Sequence, residues 1–199
     1  MKTKATFLAA MLLAAAAAGK GGAHIGGVTW AAANVDGYQT FAARPDMYTK
    51  FYQWNRAAAW AADSSASEWN STANTAHTWA VNPCPAGWRL PTHEEFIALS
   101  GAGSTWANAN AKGNAVPGRF YGANHAACTL PNNMESCIFL PAAGYLHYGT
   151  LSNQGSYGYY WSNTQCEGYI GYHLYFYSSL SYPGNHVDKA NGMPLRCVK

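Results

Sequence analysis

The clearest alternation of apolar and polar positions runs from His173 to Tyr177, where Leu174 and Phe176 interleave with His173, Tyr175 and Tyr177. A period of two predicts a half-buried strand. Leu174 and Phe176 should point into the core, and the His/Tyr/Tyr row should point outward. Residues 159–162 read as another strand, 138–140 as a short apolar one, and 118–122 as a short strand between turns. Residues 28–35 form the first strand-like segment, ending at the Asp36-Gly37 turn, and 194–198 close the chain as a final strand. Residues 38–60 are rich in aromatics, with Tyr48, Phe51, Tyr52 and Trp54 predicted to line a core. Residues 61–78 read as loop.

The period changes in one place. Thr92 is a good helix N-cap, and Glu95 three residues later completes a capping box. Glu94 and Glu95 in the first turn suit the helix dipole. A helix is therefore predicted over 93–100, with Phe96, Ile97 and Leu99 as its buried face and a stop at Gly101 and Gly103. One clear helix, short strands and long loops predict an irregular α+β domain.

Composition adds a surface to this frame. Eight of the fourteen tyrosines fall between Tyr157 and Tyr182, and the only formally charged side chain between Tyr145 and Val187 is Glu167. Tyr, Ser, Gly, Asn and His dominate the segment. Tyrosine offers stiff amphipathic contact area at low entropy cost, and its small polar neighbours offer adaptable hydrogen bonds. The net charge is only +3, with no Lys/Arg cluster, which excludes binding to nucleic acid through phosphates.

Lys2 and Lys4 precede an apolar run over 7–18, and Ala16-Ala17-Ala18 before Gly19 is a small-residue cleavage site. This pattern predicts a signal peptide over 1–18, a Gly-rich linker over 19–27 and one domain over 28–199. The apolar run is too short for a good membrane span, and no other stretch is long enough. The expectation is an exported protein, secreted, periplasmic or on the cell surface. Export permits disulfides. Cys128 and Cys137 bracket the short loop 129–136 and are placed to close it. Cys84 and Cys197 lie beside strand-like segments and are placed to tie the chain end to its middle. The pairing stays open in the sequence, and the count of five leaves Cys166 as the natural odd one out. No CxxC, CxxH or HExxH spacing points to zinc. The histidines are scattered and no acid pair stands out, so the chain reads as a non-enzyme without a cofactor.

The blocks GVTWAAANVDGY (27–38), FYQWNRAAAW (51–60), NPCPAGWRLPTHEEF (82–96), FLPAAGY (139–145), GYYWSNT (158–164) and ANGMPLRCV (190–198) resemble the Fibrobacter succinogenes major paralogous domain family. The resemblance implies a C-type-lectin-like fold of α+β type, with short antiparallel strands, one or two helices and long loops. A familiar calcium-dependent lectin site is not implied, because the tail lacks an EPN-like triplet and offers only Glu167 and Asp188 as acids.

The C-terminal segment is also similar to the variable region of a diversity-generating retroelement target protein. In such systems, adenines of a template are randomised, so that Asn codons become many others but not Lys, Glu, Gln, Trp or Met. The suspect positions are Cys166, Tyr169, Ile170, Tyr172, His173, Tyr175, Tyr177, Leu180, Tyr182, Gly184, Asn185, His186, Val187 and Asp188, and all fall within the reachable set. This resemblance implies that these residues, apart from Cys166, form the ligand-contact set. The partner would be a protein or glycan ligand at a cell or phage surface. Two further function classes are a structural or adhesive surface module without a dedicated site, such as a fimbrial component, and a calcium-independent carbohydrate-binding module.

Overall fold

The computed structural model describes residues 21–62 and 78–199, so the predicted signal peptide and most of the predicted 61–78 loop lie outside the described residues. The described residues are β-rich, with 38 % in strands and bridges and 5 % in helix. The α+β architecture with one or two helices, expected from the lectin-like resemblance, is therefore corrected to a fold of small antiparallel sheets with one short helix among the described residues. Many strands are only two to four residues long, and residues this few carry no readable period. Their pairing is a long-range property that no local window reports.

Among the described residues, five small sheets make up the body. Strands β1 (Gly22–Ile25) and β2 (Val28–Ala31) form a hairpin, and β3 (Val35–Gly37) pairs with β4 (Thr40–Phe41). Strand β5 (Tyr52–Gln53) joins a four-stranded sheet ordered β10-β9-β14-β5, with β9 at Tyr145–His147, β10 at Thr150–Ser152 and β14 at Gly192–Met193. Strands β6 (Ser104–Ala107), β7 (Gly118–Tyr121) and β8 (Ile138–Pro141) form a meander, and so do β11 (Gly158–Gln165), β12 (Ile170–Phe176) and β13 (Ser181–Asp188). The stretch assigned to a linker from its glycines holds β1 instead. Gly22 lies so close to the Trp30 carbonyl that a β-carbon would sit 1.8 Å from that oxygen, so its glycine serves strand pairing and not flexibility.

The helix α1 (His93–Gly101) starts where the capping box places it. The Thr92 hydroxyl accepts from the Glu95 N–H, and the Glu95 carboxylate accepts from the Thr92 N–H. Arg89 adds two hydrogen bonds to that carboxylate, at 2.8 and 2.6 Å. Burial alone would raise the Glu95 pKa, but Arg89 and the Thr92 N–H outweigh it and hold the carboxyl below its usual range. Phe96 and Leu99 are buried, as their positions predict. Ile97 is 48 % exposed, because it lies one residue off the stripe they define.

One core lies between α1 and the β11–β12–β13 sheet, where Phe96 and Leu99 meet Tyr160, Leu174, Phe176, Tyr121 and Trp30. A second lies on the other side of that sheet around Tyr52, Trp54, Trp88, Trp161 and Met193. Cys84 is bonded to Cys197 across 113 positions, and Cys128 to Cys137 across nine. The last residues thread between β2 and the Arg89 segment. Ala31 donates to the Cys197 carbonyl, and Arg89 and Val198 exchange backbone hydrogen bonds. The predicted final strand is thus reduced to an isolated bridge at Val198, with β14 just before it.

Arg196 is the polar centre of the interior. Its guanidinium is fully buried and donates to the carbonyls of Ala31, Ala32 and Phe139 and to Asn34 Oδ1. Asn34 in turn donates to the Tyr160 hydroxyl, which donates to the Pro141 carbonyl. Burial lowers the Arg196 pKa to about 10, which leaves it charged at neutral pH.

Arg196→Met is expected to strand four buried acceptors and to cost roughly 3–5 kcal/mol of stability, read as a lower urea midpoint. Thr92→Ala should cost about 1 kcal/mol by the same measurement. An Arg196→Met midpoint equal to that of the parent would show that the network is not a stabilising centre.

Candidate ligand-binding face

The β11–β12–β13 meander has two different faces. Its register pairs Tyr160 with Leu174 and Gly158 with Phe176, and these side chains turn towards α1. Gly158 is required here, because the Phe176 ring lies across it and a β-carbon would sit 2.0 Å from that ring. The neighbouring pairs, Tyr159 with Tyr175 and Trp161 with His173, turn the opposite way. At one end this second face is covered. Trp161 packs edge-on against Trp54 and donates to the Tyr52 carbonyl, while the Trp54 ring fills the space beside Gly171.

At the other end the face is open and tyrosine-lined. Tyr157 lies nearly parallel to Tyr175, with ring centroids 5.8 Å apart, and is 5.4 Å from Tyr177. Tyr159 is 5.2 Å from Tyr175 and 4.5 Å from Tyr145. From Tyr145 the row continues through His147 to Tyr148, whose hydroxyl donates to Asp188 at 2.6 Å. These rings form one continuous aromatic ribbon across two sheets. Partial burial pushes the Tyr159 pKa up to about 12, so its hydroxyl remains a neutral donor, and it accepts from Asn153 Nδ2.

The frame around the ribbon is tied down. Arg119 donates to the carbonyls of Tyr177 and Ser178 and holds the β12–β13 turn. Lys189 reaches beneath the preceding loop to the Gly168 carbonyl and lies 5.1 Å from the Trp54 ring centre. Ser181 bonds both Tyr121 and Ser100, which links β13 to β7 and α1. The ladder between β12 and β13 slips between His173 and Tyr175, so that Pro183 and Gly184 form a bulge on β13. Proline on a sheet's outer strand fits such a site, because the bulge needs no ladder donor there.

The structure separates the residues that the sequence grouped as one contact set. Tyr175, Tyr177, Tyr182 and Asn185 lie with the ribbon face, and Tyr182 is 50 % exposed. Gly184 lies in the bulge and Val187 opposite Gly171. Tyr172 is on the α1 side, stacked on His93 at 4.0 Å and edge-on to His186. Tyr169, Ile170 and Asp188 are at the far end of the meander, and Leu180 is in its exposed turn. His173 departs from its expected place. It is only 1 % exposed, because Trp161, Tyr159 and the second core close over the position where alternation alone would leave it in water. Tyr145, Tyr157 and Tyr159 are the residues sequence reasoning missed. Tyr145 stands in a block that reads as scaffold and Tyr159 in a strand with no polar alternation. Their shared tyrosine chemistry was the available signal.

His173 lines a small hollow of about 90 Å³ together with Tyr145, Tyr159, Asn185, His186 and Val187. Neither ring nitrogen has a hydrogen-bond partner. Burial, reinforced by the nearby His186 and only partly opposed by the Gly171 carbonyl, which lies near the ring without a well-aligned hydrogen bond, pushes the His173 pKa down to about 3. Among the described residues no three His, Cys, Asp or Glu side chains gather where they would hold a metal ion. Cys166 is the free cysteine, half-buried beside the loop that Lys189 supports.

The His173 shift predicts the sign of an acid effect. Between about pH 6.5 and 3 the unfolded state binds a proton that the folded state refuses, so stability falls as pH drops through that window. The expected slope is up to about 1.4 kcal/mol per pH unit. His173→Phe should flatten it between about pH 6.5 and 5.5, before the glutamates of the unfolded state take up protons. Urea unfolding across that interval checks this, and an unchanged slope in the variant would exclude His173 as its source.

No curated protein and no solved structure matches the chain. The model of one family does match, over residues 23–199, from the first paired strand to the last residue. That range takes in the capping-box helix, both disulfides, Arg196 and the whole aromatic ribbon, and by it the chain belongs to the Fibrobacter succinogenes major domain family.

Proposed function

We propose that this protein is an exported, non-enzymatic binding protein whose tyrosine ribbon takes up a protein or glycan ligand at a cell or phage surface. The family and the two disulfides are consistent with a secreted or surface module. The observation that carries the binding role is the open end of the β11–β12–β13 face. Tyr145, Tyr157, Tyr159, Tyr175 and Tyr177 stand there in ring contact on a backbone held by Arg119 and Ser181. Aromatic anchors on a rigid support are what binding surfaces use, because little side-chain entropy is lost on contact. Signal-peptide export over 1–18 belongs to the same reading.

We further propose that the C-terminal segment is diversified by a retroelement. Support comes from how changeable-type residues are interleaved with fixed ones. Leu174 and Phe176 are fully buried, Gly171 and Gly158 each lie against an aromatic ring with no room for a side chain, and Lys189 is buried beneath its loop. Around them, apart from His173, the suspect positions are at least partly exposed. Such a backbone tolerates change on its open positions without repacking its core. Cys166, outside both disulfides, fits a randomised codon.

Two measurements test these readings. Replacing Tyr175, Tyr177 and Tyr182 together with Ala should abolish capture of the parent protein's surface ligand while lowering stability by no more than about 2 kcal/mol. A collapse of the fold would instead make these tyrosines core. Genomic DNA around the gene should carry a near-copy of the 3′ coding end, differing at adenines and beside a reverse-transcriptase frame. A complete genome without such a copy would rule diversification out.

A further inference from the structure

We propose that the hollow beside His173 is a subsite for an uncharged hydroxyl, and that a neutral pyranose stacked on the neighbouring tyrosines is the ligand that supplies it. This rests on the reading of the ribbon as a binding face and adds the chemistry of one position in it.

The starting point is a buried imidazole whose nitrogens make no well-aligned hydrogen bond, with only the Gly171 carbonyl near enough to act on the ring. A buried polar group left without a good partner is costly, so one in a native fold calls for an explanation. His173 borders an opening of about 90 Å³, not solid packing, and the opening is large enough to admit a small polar group. A hydroxymethyl group or one edge of a vicinal diol fits it.

The lining selects against charge. No Lys, Arg, Asp or Glu borders the hollow, and nearby Asp188 is engaged by the Tyr148 hydroxyl. A carboxylate or phosphate would lose its hydration there without gaining a counter-ion. Neutral imidazole presents a donor at one nitrogen and an acceptor at the other, on diverging sides of the ring, so the best partner at the hollow is one that can play either role. A hydroxyl meets that demand. Asn185, opposite His173 in the ladder, adds its amide donor on the next wall, with its Oδ1 already accepting from the His186 N–H. The Pro183-Gly184 bulge interrupts the ladder beside this pair, as bulges do where a side chain is re-aimed.

The mouth selects for a ring with apolar C–H faces. Tyr145 and Tyr159 stand 4.5 Å apart, and Tyr175 and Tyr157 extend the row outward. A pyranose offers a flat C–H face to these rings and a hydroxyl to the hollow. A Ser or Thr side chain from a peptide reaches the hollow but brings no such face.

The test is a titration of the ¹⁵N-histidine-labelled protein, in the presence of a chelator, with methyl glucosides, galactosides, mannosides and N-acetylglucosaminides. At least one sugar should shift the His173 ring nitrogens saturably. In His173→Phe and in Asn185→Ala, its affinity measured by calorimetry should fall at least about tenfold. Both variants should keep the parent's amide spectrum, and the one that does so carries the test. If no sugar of the panel moves the His173 signals, or if the folded variants bind as tightly as the parent, the subsite is disproved. A shift produced by N-acetylserine amide but by no sugar would overturn the pyranose in favour of a peptide. Capture of the surface ligand lost in the Tyr175/Tyr177/Tyr182 variant but kept in His173→Phe would sink the subsite alone and leave the ribbon standing. Capture kept in both would sink the ribbon reading as well.

Discussion

The buried guanidinium of Arg196 holds this fold in one piece. Arg196 has no carboxylate among its hydrogen-bond partners, so its charge is answered by three backbone carbonyls and the Asn34 oxygen. A planar guanidinium can do this because its donors point in fixed, divergent directions, which an ammonium cannot imitate. The groups it joins come from the first hairpin, from β8 and, through Asn34 and Tyr160, from β11. Many of the strands are too short to stand alone. A shared polar centre, with Cys197 bonded to Cys84 next to it, explains how so many small sheets keep one arrangement.

The same arrangement gives the β11–β12–β13 meander its two uses. Towards α1 it is packed with Leu174, Phe176 and Tyr160, where burial supplies about 1.5–3 kcal/mol for each large apolar side chain. On the other side the tryptophan cluster covers one end and leaves the tyrosine end open. The backbone of the open end is fixed from behind by Arg119 and Ser181, while Lys189 holds the loop at the covered end. A binding face and a stable frame therefore share strands without sharing side chains, which is the physical condition for changing one and keeping the other.

His173 marks where a local rule gave way. Alternation assigns it to the outward row with Tyr175 and Tyr177, and the register does place it on that face. What alternation cannot report is that the face is covered at this point by Trp54, Trp161 and Met193, contributed from distant parts of the chain. Tyr145 shows the converse. It looks like scaffold in its own block and becomes part of the ribbon only because β9 is set beside β11, where Gly144 bridges to Gly158.

From the residues alone came the features whose causes are local. The helix was legible because Thr92, Glu95, Phe96 and Leu99 lie within one capping box and two turns. The core direction of Leu174 and Phe176 was legible because a strand's side chains alternate whatever surrounds it. The tyrosine-rich, nearly uncharged character of the tail was plain in composition, and the free Cys166 followed from an odd count. The β-rich class, the strand within the supposed linker, the burial of His173 and the ribbon shared by β9, β11 and β12 were decided by tertiary structure. Each depends on which short segments meet across long stretches of chain, and two- to four-residue strands carry too little pattern to name their partners.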